Sequence, residues 1–166
     1  MKRLWGFLSL CSLLVWAQSG RAAFQEAENY RKNKQYDLAL QKYDEAIRTE
    51  PTKAIYYVRK GDVLVQLKRP NEAIAAYQKA LELNPGASAV YVRMARLYIG
   101  QKNYAAAVDV LNQAYAKEQD VSKRLTYKTL VVRLLNTQGR SQEALSEIQA
   151  LKAQIPQVAD DPRVLY

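Results

Sequence analysis

The sequence predicts an all-α chain built from consecutive helical hairpins. Small and aromatic residues recur at a spacing of 34 positions, apolar residues follow one another at intervals of three and four, and proline or glycine separates several of the resulting segments. The composition fits one packed domain or a short repeat array, because 49% of the 166 residues are hydrophobic and 25% are charged.

The same composition excludes several kinds of catalytic and metal site. The chain has no histidine, so a histidine general base, a histidine-ligated zinc ion and a Ser-His-Asp triad cannot form. Its single cysteine, Cys11, can form neither an internal disulfide nor a cysteine metal cluster. There is no glycine-rich phosphate loop, and neighbouring acids such as Asp44 and Glu45 would point about 100° apart on a helix. We therefore expect no enzyme activity, no cofactor and no metal site.

The first 17 residues have the order of a secretory signal peptide. Lys2 and Arg3 are followed by 14 uncharged residues that end at Ala17, a small residue where a signal peptidase would cut. The run is shorter than the roughly 20 apolar residues of a membrane-spanning helix. We expect residues 1–17 to be removed and the chain to be exported, to the periplasm or outside the cell. The alternatives are an uncleaved N-terminal anchor and a buried helix.

Eight helices account for the rest of the chain. We predict them over residues 22–33, 36–49, 54–67, 70–83, 88–101, 104–116, 122–138 and 141–154. Residues 34 positions apart match between successive helix pairs: Ala39 and Ala73, Tyr43 and Tyr77, Ala46 and Ala80, and Pro51 and Pro85. Small residues let two helix backbones approach closely, and larger neighbours fill the grooves beside them. Pro70 suits the first position of a helix, and Asn84-Pro85-Gly86 suits a helix end followed by a turn.

The fourth helix pair departs from the period. Ala107 and Ala144 are 37 positions apart, so three residues have been added between Ala116 and Gly139. They either lengthen the loop at Lys117–Arg124 or extend the first helix of this pair. In that helix, Val132 or Thr129 takes the position where small residues stand in the earlier pairs.

These recurring residues resemble the tetratricopeptide repeat, a 34-residue helix–turn–helix unit with small residues at the helix crossing, an aromatic residue between the helices and a proline at the end. The resemblance implies a right-handed α-solenoid over residues 18–157. Its four units would cover about residues 20–53, 54–87, 88–121 and 122–158, followed by a tail or truncated helix over residues 158–166. It also implies a protein-binding scaffold, in which the first helices of successive units line a concave groove for a peptide or helix of a partner.

The expected groove combines apolar residues with arginines. The residues that we expect to line it are Val58, Arg59, Asp62, Val92, Arg93, Arg96 and Arg133. Arginine binds carboxylates through two parallel hydrogen bonds, so we expect an acidic or partly apolar segment of another protein as the ligand. The alternative is that the arginines pair internally with Glu28 and Asp62. The carboxylate clamp of some family members is not matched, because Phe24 and Glu28 stand where that clamp has Lys and Asn.

Two further interpretations concern tyrosine and positive charge. Most of the 12 tyrosines lie on the repeat spacing and are expected in the core, whereas Tyr56, Tyr115 and Tyr127 are expected to be freer. The formal net charge is +9, but lysines are scattered among acids, so we expect no nucleic-acid ligand. We expect instead a scaffold in an envelope or secretion assembly. The alternatives are self-association through the C-terminal end, or binding of an anionic polymer or membrane surface through basic residues.

Overall fold

A computed structural model describes residues 20–154, and these residues form eight helices without any strand. The all-α fold class is confirmed. Helix α1 covers residues 20–32 of the described chain, and the others are α2 Tyr36–Thr49, α3 Ala54–Gln66, α4 Pro70–Leu83, α5 Ser88–Gly100, α6 Tyr104–Lys117, α7 Val121–Thr137 and α8 Ser141–Gln154. The signal peptide expected over residues 1–17 and the tail expected over residues 158–166 lie outside the described residues.

The chain divides into two compact units, Met1–Asn84 and Pro85–Tyr166. We call their described parts the N-unit, which contains α1 to α4, and the C-unit, which contains α5 to α8. In the N-unit α2 packs on α3 and α3 packs on α4; in the C-unit each helix from α5 to α8 packs on the next. Both units therefore consist of two successive helical hairpins.

The small residues at the helix crossings are in the interior of both units. Ala39, Ala73 and Ala107 are fully buried, so the side chains that defined the period are the ones that the helices enclose. In the N-unit, the rings of Tyr43 and Tyr77 fill the space beside these crossings and are almost completely buried. Burial of large side chains at this density is the main favourable contribution to folding, at about 1.5–3 kcal/mol for each.

The same turn connects the two helices of all four hairpins. Its left-handed residue has a φ of 59° at Lys34, 58° at Lys68, 59° at Lys102 and 72° at Gly139. The amide of the next residue bonds the carbonyl five residues before it, as in the 2.9 Å bonds from Gln35 to Tyr30 and from Arg140 to Leu135. This is the Schellman pattern, which satisfies carbonyl groups at a helix end.

The turn residues also locate the added residues of the fourth pair. Gly139 follows Lys102 by 37 positions, so the C-terminal end of α7 corresponds to the end of α5 at that offset. Helix α7 has 17 residues against 13 in α5, and it begins four residues earlier relative to the turn. The addition therefore extends the first helix at its N-terminal end, and Val132, which is buried, takes the crossing position.

Two tyrosines expected to be freer are in the core. Tyr56 is 5% exposed and Tyr127 is 4% exposed, so this expectation was wrong for both. Tyr56 stacks on Phe24 with the ring centroids 4.6 Å apart. The repeat spacing did not reveal these contacts because neither residue has a tyrosine at the equivalent position of a neighbouring repeat.

Candidate functional site

The first helices of the N-unit, α1 and α3, present a face on which one arginine joins two carboxylates. Arg59 Nε lies 3.5 Å from Oε1 of Glu28, and Arg59 Nη1 lies 3.5 Å from Oδ2 of Asp62. Val58 is half-buried on the same helix. Internal pairing, the alternative left open by the sequence, therefore describes Arg59.

Buried tyrosines and a second arginine hold these two carboxylates in place. Tyr77 donates a hydrogen bond of 2.8 Å to Asp62 Oδ1, and Tyr43 donates one to Glu28. Arg31 donates to both Glu28 oxygens, at 2.7 Å and 3.3 Å. Burial by itself raises the pKa of Glu28, but the hydrogen bonds from Arg31 and Tyr43 and the charge of Arg59 outweigh it, so the pKa lies below its ordinary value. Glu28 is consequently ionised at neutral pH.

Two equivalent positions in the C-unit carry the opposite charge. Arg96 follows Asp62 by 34 positions and Arg133 follows Arg96 by 37, so both arginines stand at the position that Glu28 and Asp62 occupy in the N-unit. Both are exposed, and neither has an ion pair with a carboxylate within residues 20–154. Val92 and Arg93 are half-buried beside them on α5.

The tyrosines change together with the carboxylates. The residues that stand in the C-unit where Tyr43 and Tyr77 stand in the N-unit are Leu111 and Ile148, which have no hydroxyl group. Leu111 is fully buried, and Ile148 packs against the cluster of Leu125 and Leu151. At these equivalent positions the N-unit therefore has an acid and a tyrosine, whereas the C-unit has an arginine and an aliphatic residue.

Helices α5 and α7 contain no acidic residue, a feature that the sequence analysis missed. Aspartate and glutamate are absent from residues 83–108 and 121–142, so the acid-free character of both helices can be read from the sequence. The other cations of α7 are already engaged: Lys128 lies 2.7 Å from Glu147, Lys123 lies 3.6 Å from Glu118, and the Arg124 guanidinium lies 4.3 Å from the Tyr115 ring centroid. Arg96 and Arg133 are the exposed arginines of the two helices.

A separate cleft of about 300 Å³ lies between α3 and α4 of the N-unit. Its lining residues are Tyr57, Lys60, Leu64, Glu72, Ala75, Ala76 and Lys79. Each charged residue there is already paired, Lys60 with Asp44 at 2.6 Å, Glu72 with Arg69 at 2.6 Å and Lys79 with Glu82 at 2.7 Å. The cleft offers a ligand few polar groups that lack a partner.

Within residues 20–154, no three acidic or cysteine side chains are grouped closely enough to hold a metal ion. The described helices also include none with the length and apolar character needed to cross a membrane.

Models of known protein families match the helical repeats that the structure shows. Two models described as tetratricopeptide repeat match residues 24–88 and 64–126. Residues 24–126 consist of tetratricopeptide repeats. The fold, with its paired helices and small crossing residues, agrees with this assignment.

Known tetratricopeptide-repeat proteins resemble parts of the chain. It is 25% identical over 112 residues to the Hsp70-Hsp90 organising protein of Plasmodium falciparum, covering 63% of this chain and 20% of that protein. It is 33% identical over 89 residues to the small glutamine-rich tetratricopeptide repeat-containing protein 2 of Saccharomyces cerevisiae, covering 54% of this chain and 25% of that protein. The chain therefore spans a fifth to a quarter of the length of these relatives.

A solved structure gives a similar picture. The TPR2B domain of yeast Sti1, in its pHsp70 complex, superimposes with a TM-score of 0.62 at 28% identity and covers 72% of this chain and 98% of that domain. This likeness concerns a single repeat domain over nearly its whole length.

Proposed function

We propose that this chain is a non-enzymatic scaffold that binds a segment of a partner protein on its first helices. The observation that carries the proposal is the face of the C-unit, where exposed Arg96 and Arg133 have no paired carboxylate among residues 20–154 and half-buried Val92 offers apolar surface. The similarity to the Sti1 TPR2B domain, a structure solved as a complex, supports a binding role. An acidic or partly apolar segment is the ligand that fits these residues.

A chaperone tail bound through the carboxylate clamp is not what we propose. The clamp has Lys and Asn where Phe24 and Glu28 stand, and Glu28 already accepts hydrogen bonds from Arg31 and Tyr43. A terminal carboxylate placed there would meet the negative charge of Glu28. The partners of the chaperone-associated relatives are therefore not transferred to this chain.

The proposed place of action is outside the cytoplasm, in an envelope or secretion assembly. The support is the order of residues 1–17, with a basic start, an apolar run and the small Ala17 at its end. The mass of the chain purified from the cell envelope tests this directly, because cleavage after Ala17 gives a protein that begins at Gln18. A chain that retains Met1 and is recovered only from the cytosol would contradict it.

Site-specific crosslinking tests the binding function. A photoreactive amino acid at Val92, on α5, should capture a discrete partner, whereas the same group at the exposed Gln113, on the second helix of the hairpin, should not. The captured protein, once purified, should bind the full chain in isothermal titration. Equal capture from both positions, or a captured protein with no affinity for the purified chain, would show that the first helices are not the binding face.

A further inference from the structure

The N-unit shows how close equivalent positions of successive first helices lie. Glu28 of α1 and Asp62 of α3 are 34 positions apart, and Arg59 lies 3.5 Å from each of the two carboxylates. One side chain is therefore long enough to join the two positions. The N-unit supplies the bridging charge itself.

The C-unit has the two equivalent positions, but a leucine replaces the arginine that bridges them in the N-unit. Arg96 and Arg133 replace the two carboxylates, and Leu130 stands on α7 where Arg59 stands on α3. Helices α5 and α7 both pack on α6 and are the successive first helices of the C-unit. Two cations consequently share a face that has no counter-ion among the described residues.

We propose that a carboxylate of an acidic partner segment binds between Arg96 and Arg133, where Arg59 lies in the N-unit. The inference rests on the proposed function and names the chemistry of its ligand. A guanidinium group holds a carboxylate through two hydrogen bonds, so two arginines at equivalent positions of successive first helices favour an acidic side chain or a pair of them. Leu130 and Val92 offer apolar surface beside the arginines for an aliphatic side chain of the same segment. Arg59, by contrast, is a structural residue of the N-unit.

An acidic polypeptide fits this face better than a phosphate polymer does. A polymer gains affinity by neutralising several phosphates along a basic stripe. Here the neighbouring cations of α7 are engaged, Lys123 and Lys128 by carboxylates and Arg124 by the Tyr115 ring. Two exposed arginines next to aliphatic residues match a short segment that alternates acidic and apolar side chains.

The probe is a fluorescein-labelled peptide that alternates Glu, Leu and Ser, compared with the same peptide carrying Gln for Glu. Anisotropy titration of the full chain should show tighter binding of the Glu peptide. The double variant Arg96→Gln/Arg133→Gln should weaken its binding about tenfold or more, the effect of losing charge-assisted hydrogen bonds. Lys117→Gln/Lys152→Gln removes the same charge from second helices of the C-unit and should leave binding nearly unchanged, as should Arg59→Gln.

A second variant places the counter-ion inside the protein. Leu130→Glu puts a carboxylate between the two arginines, so it should abolish binding of the Glu peptide while the thermal midpoint stays at or above that of Leu130→Gln. The Gln variant keeps the shape without the charge and should retain binding. Because both variants remove the same leucine, a general loss of packing cannot explain a difference between them.

Three results would overturn the inference. One is equal loss of binding in the Lys117→Gln/Lys152→Gln control, which would indicate a net-charge effect. Another is full displacement of the peptide by polyphosphate together with a steep salt dependence, which would indicate an anionic-polymer site. The third is equal affinity for the Glu and Gln peptides. In this last case protein binding stands and only its acidic character fails, whereas failure of the Val92 crosslink and of both peptides would remove the proposed function itself.

Discussion

At the scale of single residues, Gly61 shows how the helix crossing constrains the sequence. A Cβ at position 61 would lie 2.4 Å from Cε1 of Tyr77, and the ring is held by its 2.8 Å hydrogen bond to Asp62. We expect Gly61→Ala to lower the free energy of unfolding by about 1–3 kcal/mol, the usual cost of overpacking. Urea denaturation followed by circular dichroism measures this loss.

Gly100 provides the matched control for Gly61. It is the last residue of the first helix α5, and no atom lies within 4 Å of the place where its Cβ would stand. Alanine is the better helix former, so Gly100→Ala should leave stability unchanged or raise it by up to about 1 kcal/mol. Equal destabilisation by both substitutions would mean that the Tyr77 contact is not the cause.

At the candidate site, individual residues show how much could be predicted from the sequence alone. The spacing of Arg59 placed it on the first-helix face, but its pairing depends on an ion pair with Glu28 on another helix and on a contact with Asp62 on its own helix. Comparison of equivalent positions in the four repeats would have revealed the change from acid to arginine at Arg96 and Arg133. The period was identified from the recurring small and aromatic residues instead, and those residues carry the packing.

At the scale of elements, the four hairpin turns differ in the residue that takes the left-handed conformation. Lys34, Lys68 and Lys102 adopt it with a side chain, whereas Gly139 adopts it without one. The left-handed conformation costs a residue with a side chain about 1–2 kcal/mol. Glycine avoids this cost, but part of the gain is lost because glycine gives the unfolded chain more conformational entropy. We expect Lys68→Gly to raise the free energy of unfolding by about 1 kcal/mol.

The reverse substitution checks the interpretation of the turn. Gly139→Lys should lower the free energy of unfolding by a similar amount, because it introduces the cost that Lys68 already bears. Chemical denaturation of both variants gives the two values. A destabilising Lys68→Gly, or a neutral Gly139→Lys, would show that the lysine side chains contribute contacts that outweigh backbone strain.

The helix boundaries were predicted well, whereas the location of the three added residues was predicted only in part. Helices α2 to α7 begin and end within two residues of their predicted limits, because small residues at the crossings and prolines or turns at the ends fix them. The sequence alone left open a longer loop or a longer helix before Gly139. The structure shows α7 capped by Asp120, whose side chain accepts a 2.9 Å hydrogen bond from the Lys123 amide. That cap favours starting the helix early, and it depends on a loop conformation that periodicity does not describe.

At the scale of the whole molecule, stability should depend on pH in a simple way. The chain has no histidine, so few of its groups titrate near neutral pH. Hydrogen bonds from an arginine or the backbone hold the pKa of three carboxyl groups below the ordinary value: Glu72, Glu118 and Glu143. Burial holds the pKa of three tyrosines above the ordinary value: Tyr43, Tyr56 and Tyr91.

These directions set the two edges of a stability plateau. A lowered carboxyl pKa contributes stability above the unfolded-state pKa and loses it as the pH falls through the folded-state value; a raised tyrosine pKa contributes stability below about pH 10 and loses it above. We expect thermal midpoints to be nearly constant between about pH 6 and 9 and to fall on both sides. Glu28→Gln should flatten the acid side, because Glu28 has a lowered pKa that results from Arg31, Tyr43 and Arg59 outweighing its burial. A drop in the midpoint between pH 6 and 8 would contradict this account, since none of the named groups titrates there.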